Sequence, residues 1–154
     1  IVATSDDAEP FAAHVVRLGY IYGPHEQVRP SRRRLSPVAQ WLAAARAGRP
    51  LEVRADDPHR DWTFAPDLAP ALGRLIAGAA SRGPVHLGSP FVLADSAMAA
   101  LVARHVPGAT SIAVPASGAM KPPMRPSDIA ALRGFVWTAP DAGIARLAAA
   151  EVAA

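Results

Sequence analysis

Strands and helices that alternate along the chain predict an α/β fold containing parallel sheet. Three observations carry that expectation. The stretch "AHVVRLGYIYG" (13–23) has the β-branched and aromatic content of a buried strand and is stopped by Gly23-Pro24. Downstream, helical and alternating apolar patterns take turns, separated by polar, proline-marked breaks. No repeat and no linker divides the chain into two units, so 154 residues make about one domain.

In order, residues 13–22 form the first strand, and residues 24–35 form an Arg-rich loop broken twice by Pro. Ser36 followed by Pro37 is a cap and first-turn pair. Val38, Trp41, Leu42 and Ala45 then fall at helical spacing until Gly48 ends the helix. "PLEVR" (50–54) alternates as a short strand, "ADDPH" (55–59) turns, and "RDWTFA" (60–65) is extended. Asp67 is expected to cap a helix carrying Leu68, Leu72, Leu75 and Ile76 on one side, with Pro70 tolerated in its first turn. "GPVHLGS" (83–89) is a brief strand. Asp95 is expected to cap a helix with Met98, Leu101 and Val102 as its apolar stripe. "TSIAVP" (110–115) is another strand, and residues 116–126 are a Pro-rich loop. Ser127 would cap a short helix through Leu132, and Asp141 a terminal one holding Ile144, Leu147 and Val152.

Composition narrows the function. Apolar residues make up 51% and charged residues 19%, a globular balance. No apolar run approaches the ~20 residues of a membrane helix, and the acidic start "IVATSDDAEP" is no signal peptide. With no cysteine, thiolate metal sites and disulfides are excluded, which fits a cytoplasmic setting. Lys121 is the single lysine among 16 basic residues, so the charge is carried by Arg, whose planar fork suits phosphate and carboxylate. The cluster Arg29, Arg32, Arg33 and Arg34 lacks the interleaved aromatics or helix-turn-helix of a nucleic-acid site, so no nucleic acid is expected.

Catalytic signatures are missing. There is no G-x-x-x-x-G-K-[ST], G-x-S-x-G or H-E-x-x-H. The five histidines (14, 25, 59, 86, 105) are scattered, so no metal site is expected. Asp56 and Asp57 are turn formers, and Gly73, Gly78 and Gly83 have the wrong spacing for a dinucleotide turn.

"VRLGYIYGP" (16–24) resembles the R-x-x-N-V-Y-G-P segment of the extended short-chain dehydrogenase/reductases, the NAD-dependent epimerase/dehydratase family. "AGRPLEV" (47–53) is similar to that family's G-x-P-L-x-V, and "HRDWTFAPDLAPAL" (59–72) to its R-D-[FY]-x-x-V-x-D-x-A-x-A. "VHLGS" (85–89) resembles its Y-N-x-G strand, and "PPMRPSDIAALRGFVWTAPDAGIARL" (122–147) its closing region. The order of these segments, over residues 13–147, is what makes the likeness specific.

The resemblance implies the C-terminal part of a Rossmann-like parallel sheet plus the small α/β substrate-binding lobe. Residues 1–154 would then be a single incomplete domain. Residues 13–22 and 83–89 would give sheet strands of the cofactor domain, and about 24–64 and 110–154 the substrate lobe. It places residue 1 near the end of the helix that carries the family's catalytic Tyr-x-x-x-Lys. Four residues after Tyr20 stands Pro24 and four after Tyr22 stands Glu26, so neither tyrosine has the lysine, and no catalytic residue is expected here. NAD or NADP would be bound mainly by the missing N-terminal half, with Leu18, Gly19, Tyr20 and Ile21 approaching its nicotinamide ring.

The resemblance also assigns Arg60 to the diphosphate of a nucleotide-sugar and Trp62 to packing beside it, with Ser36 and Arg125 as further substrate contacts. Read without it, Arg60 would pair with Asp61 or Asp57. The implied function is that of the substrate-binding portion of an NAD(P)-dependent epimerase, dehydratase or reductase taking an anionic small molecule. The alternative is a non-catalytic dinucleotide sensor. Tyr20 and His86 stand where the family has Asn, which leaves the substrate open. A half sheet exposes an edge, so self-association, or a partner chain that completes it, is expected.

Overall fold

The computed structural model describes residues 13–78 and 83–150; residues 1–12 and Val152 lie outside them. Its strands are β1 (Val16–Leu18), β2 (Tyr20–Tyr22), β3 (Leu51–Arg54), β4 (His59–Phe64), β5 (Val85–Leu87), β6 (Val92–Ala94) and β7 (Ser111–Val114). Its helices are α1 (Pro37–Arg46), α2 (Leu68–Ala77), α3 (Asp95–His105) and α4 (Pro140–Ala150). Strand and helix alternate as expected, and the pairings β1–β5, β2–β4 and β3–β7 are parallel. β6 closes antiparallel on β4.

The first strand differs from its expected single run. It breaks at Gly19, so β1 pairs with β5 while β2 pairs with β4. The cause is steric. A Cβ on Gly19 would overlap the Asp61 carboxylate, so only glycine lets the backbone pass there.

Helix α1 matches its sequence pattern. Ser36 is the N-cap, its Oγ accepting from the Ala39 N–H at 3.2 Å, and Val38, Trp41, Leu42 and Ala45 are buried. These side chains join Tyr22, Leu51, Trp62, Phe64, Met98, Val102, Ile144 and Leu147 in the main core. A smaller core under α2 gathers Ala71, Leu75, Val85 and Leu87, and Phe135 and Trp137, edge to face with each other, pack against it. On α2, Ile76 points outward instead of joining Leu75.

Three expected caps have other duties. Asp67 makes no capping bond; its carboxylate accepts from the Thr138 N–H (2.7 Å) and hydroxyl (2.8 Å). Ser127 splices onto β5, its hydroxyl accepting from the His86 N–H at 3.0 Å and its own N–H donating to the His86 carbonyl. Asp141 lies inside the first turn of α4 and meets His105 at 2.8 Å and Arg104 at 3.2 Å. A local pattern identifies a short polar residue near a helix start, but a tertiary partner can outbid the orphan N–H groups for its oxygen.

Candidate functional site

β2 and β4 set Tyr20 opposite Trp62 and Tyr22 opposite Phe64. The alternation puts an aromatic cluster around Trp62, with Tyr20 at 6.4 Å, Tyr22 at 6.3 Å and Trp41 at 6.2 Å between ring centroids. Trp62 is held from behind, donating from its indole N–H to the Leu93 carbonyl at 3.0 Å. These rings make a rigid wall with two torsions per side chain to freeze.

Against that wall lies a hollow of about 400 Å³, lined by Gly19, Tyr20, Ile21, Arg34, Ser36 and Trp62 among others. It opens between the start of β2 and the N-terminus of α1. A second hollow of about 330 Å³ lies beyond the Gly23-Pro24 turn, lined by Pro24, His25, Glu26, Arg29 and Arg32 among others. Glu26 knits the loop between them. Its Oε2 accepts from Arg32 at 2.6 Å and from the Ser36 N–H at 2.8 Å, and its Oε1 from the Ser36 hydroxyl at 2.6 Å and the Gly23 N–H at 3.3 Å. Glu26 escaped the sequence reading because its partners lie up to ten residues away. Its signal was being the lone acid in the loop 24–35.

Arg34 differs from Arg32. Among the described residues its guanidinium has no hydrogen-bond or ion-pair partner, and Arg34 is one of the residues lining the first hollow. No acidic residue occupies the first turn of α1. Arg32 lines the same hollow but is paired with Glu26, whose carboxylate also accepts from Ser36 at the start of α1, so Arg34 is the cation of this lining left without an ionic partner among the described residues.

Arg60 is placed otherwise. It pairs with neither Asp61 nor Asp57 but with Asp95, Nε and Nη2 donating to the two carboxylate oxygens at 2.5 and 2.6 Å. The two residues are 5% and 1% exposed. Burial pulls the Arg60 pKa down, and the Asp95 contact outweighs it, leaving the guanidinium above its usual value. Its carbon sits 4.6 Å over the Tyr20 ring and 5.7 Å from Trp62, and Nη1 faces the Met120 sulfur at 3.9 Å. Arg60 lines neither hollow. Asp95, expected as a cap, is inside α3, whose N-cap is Ala94. The orphan N–H of Ser96 is served across the turn by Asp57 at 2.8 Å, and the Ser96 hydroxyl by the same carboxylate at 2.7 Å. That bonding depresses the Asp57 pKa.

The structure thus brings together at one hollow Gly19, Tyr20, Ile21, Ser36 and Trp62 of the sequence-predicted residues. Leu18 is on β1 outside it, and Arg125 is exposed in the segment after β7 and lines neither hollow. Among the described residues no three His, Asp or Glu side chains cluster as a metal site, and no helix is long and apolar enough to cross a membrane.

No family model and no curated protein sequence matches the chain. Solved structures do. An NAD-dependent NDP-hexosamine 5,6-dehydratase of tunicamycin biosynthesis, TunA, superposes with a TM-score of 0.69 at 22% identity, covering 85% of this chain and 42% of its own. A UDP-N-acetylglucosamine 4-epimerase from Methanobrevibacter ruminantium, in complex with UDP-N-acetylmuramic acid, gives 0.71 at 11% identity, covering 90% and 45%. A dTDP-glucose 4,6-dehydratase from Bacillus anthracis, in complex with NAD, gives 0.68 at 16% identity, covering 87% and 42%. This chain has the fold of those enzymes. It spans less than half the length of each, and the Rossmann-like α/β architecture expected from the sequence is the part it shares.

Proposed function

We propose that this chain is the substrate-binding C-terminal portion of an NAD(P)-dependent epimerase, dehydratase or reductase acting on a nucleotide-sugar or a similar anionic hydroxy or keto compound. One observation carries the reading: a hollow beside β2, lined by Tyr20, Arg34 and Ser36 among others, on a fold shared with NAD-dependent sugar-nucleotide enzymes. Tyr20, half-buried with Trp62 packed behind it, offers its ring to a sugar or base, and Arg34, exposed and without a partner among the described residues, offers charge to a phosphate.

A nicotinamide dinucleotide fits this chain along one edge. Gly19, Tyr20 and Ile21 line one side of the hollow, so these three would flank its nicotinamide end. No glycine-rich phosphate turn of the right spacing occurs in the sequence, so the diphosphate of the cofactor would be held by residues outside these 154. When bound, the dinucleotide supplies hydride acceptance or donation. The chain's own residues then do positioning work: Tyr20, backed by the buried Trp62, would set the plane of the ligand and exclude water from one side, and Arg34 would hold its charged end. Proton transfer falls to a Tyr-Lys pair upstream, which leaves this chain alone without turnover.

The test is the full-length product of the gene that encodes this chain. It is expected to bind NAD(P) and to convert at least one nucleotide-sugar, followed by nicotinamide absorbance and product analysis, while the 154 residues alone convert none. A full-length product that binds both ligands and turns over nothing favours the sensor reading. One that binds neither overturns the proposal.

A further inference from the structure

We infer that the outer edge of β7 is a pairing surface for a second copy of this chain, joined antiparallel through Ser111 and Ala113 with the two Ile112 side chains facing each other. Among the described residues β7 has one neighbouring strand, β3, and the two run parallel. The bonds that join them fix which backbone groups remain. The Leu51 N–H donates to the Thr110 carbonyl at 2.8 Å and the Ala55 N–H to the Val114 carbonyl at 2.8 Å. Thr110, Ile112 and Val114 therefore turn their backbone groups towards β3. Ser111 and Ala113, one position out of step, turn theirs away. Among the described residues nothing bonds to those outward groups, and both residues are exposed. The chain leaving β7 is held elsewhere. Arg54 on β3 donates to the Ser117 carbonyl at 2.6 Å and the Gly118 carbonyl at 3.1 Å, which draws residues 117–118 back towards β3.

Sheet edges are ordinarily guarded by lysine, by inward charges or by bulges. This one is not. The run from Val106 to Met120 carries no charged side chain, the longest such run in the sequence, and Ile112 within it is 47% exposed. Pro115 limits the open edge on its C-terminal side, because it has no N–H to offer. A second copy fits what is left. Turned antiparallel about Ile112, it sets Ser111 opposite the second copy's Ala113, and each such pair exchanges both of its backbone bonds. Ile112 then takes the position without backbone bonds, where facing Cα atoms come within about 4.5 Å and side chains pack most closely. Although each chain has a net charge of +3, this run brings no charge opposite its like. The pairing also closes on itself, because β3 already fills the other edge of β7, so this edge yields a dimer. It makes no use of the hollow, and its failure would leave the proposed function untouched.

The sequence has no cysteine, so a thiol placed on β7 reports only its own contacts. Ile112→Cys, incubated with oxidised glutathione, is expected to become a disulfide-linked dimer as its main product, because facing positions of this kind lie within disulfide reach. Val136→Cys, at a site 87% exposed and outside any strand, is the control for chance collision and is expected to stay largely unlinked. Leu18→Lys, which charges the β1 edge, is expected to leave the Ile112→Cys cross-link intact. Ala113→Pro deletes an outward N–H and no bond to β3, and adding it to Ile112→Cys is expected to abolish the cross-link. In the unaltered chain the amide protons of Ser111 and Ala113 should exchange more slowly as protein concentration rises, which decides the question should Ala113→Pro not fold. Cross-linking of Ile112→Cys no faster than that of Val136→Cys overturns the inference, as does amide exchange at Ser111 and Ala113 that ignores concentration. Protection that appears only on adding an unrelated extended peptide overturns the second copy as occupant.

Discussion

Replacing Asp95 by Ala should remove a large part of the stability of this chain. The substitution strands a guanidinium that is 5% exposed, with a thioether and two aromatic rings for neighbours. Breaking a buried ion pair from one side costs about 3–5 kcal/mol, against a total stability of about 5–15 kcal/mol for a domain. With a urea m-value of about 2 kcal/mol/M, the unfolding midpoint falls by about 1.5–2.5 M. Urea unfolding followed by Trp62 and Trp41 fluorescence reads that shift. The exposed pair Arg133–Asp128 is the control, and Asp128→Ala should leave the midpoint in place. Arg60→Met combined with Asp95→Leu should recover most of the loss, because two apolar groups leave no buried charge. A shift below about 0.5 M for Asp95→Ala would refute the claim that the pair is buried and bidentate.

Gly19→Ala should destabilise by more than about 2 kcal/mol, since its Cβ overlaps the buried Asp61 carboxylate; adding Asp61→Gly should restore part of that in the same urea assay. Gly143→Ala drives a methyl into the Tyr22 hydroxyl and should cost about 1–3 kcal/mol, relieved by Tyr22→Phe, which removes a buried hydroxyl lacking a partner. Burial first, and the charge of Asp67 second, raise the Tyr22 pKa above its usual 10.0, opposed by Arg146. The native state therefore keeps a proton that the unfolded chain releases, so from about pH 10 upward stability falls by about 1.4 kcal/mol per pH unit. Tyr22→Phe should flatten that slope. Asp57→Ala removes the acceptor at the start of α3 and should cost about 1 kcal/mol by thermal unfolding. Sedimentation should show self-association through the exposed β1 edge, where Val15 and Leu18 lie open; a monodisperse monomer would contradict this.

Local periodicity was legible and distant pairing was not. Helix α1 could be read from Ser36-Pro37 and four apolar positions because its cap, its stripe and its end are all encoded within 13 residues (36–48). The parallel character followed from strands separated by helices. What escaped were elements defined by partners far along the chain. β6 is three residues long, too short for any period, and exists because it lies beside β4. Asp67 and Asp95 carry good cap residues' identities, yet Thr138 lies 71 positions from the first and Arg60 35 from the second. The break at Gly19 depended on Asp61, which no reading of "VRLGYIYGP" contains. At the hollow, the wall of Tyr20 and Trp62 and the place of Ser36 were visible in the order of the motifs. The pairing of Arg60 with Asp95 was not, because its two partners lie 35 positions apart.

Calorimetric titration of this chain with a nucleoside-diphosphate sugar and, in parallel, with NAD tests the division of labour most directly. Saturable heat from the sugar nucleotide and none from NAD over the same concentrations is the expected outcome. Micromolar binding of NAD by these 154 residues, with no heat from the sugar nucleotide, would contradict it.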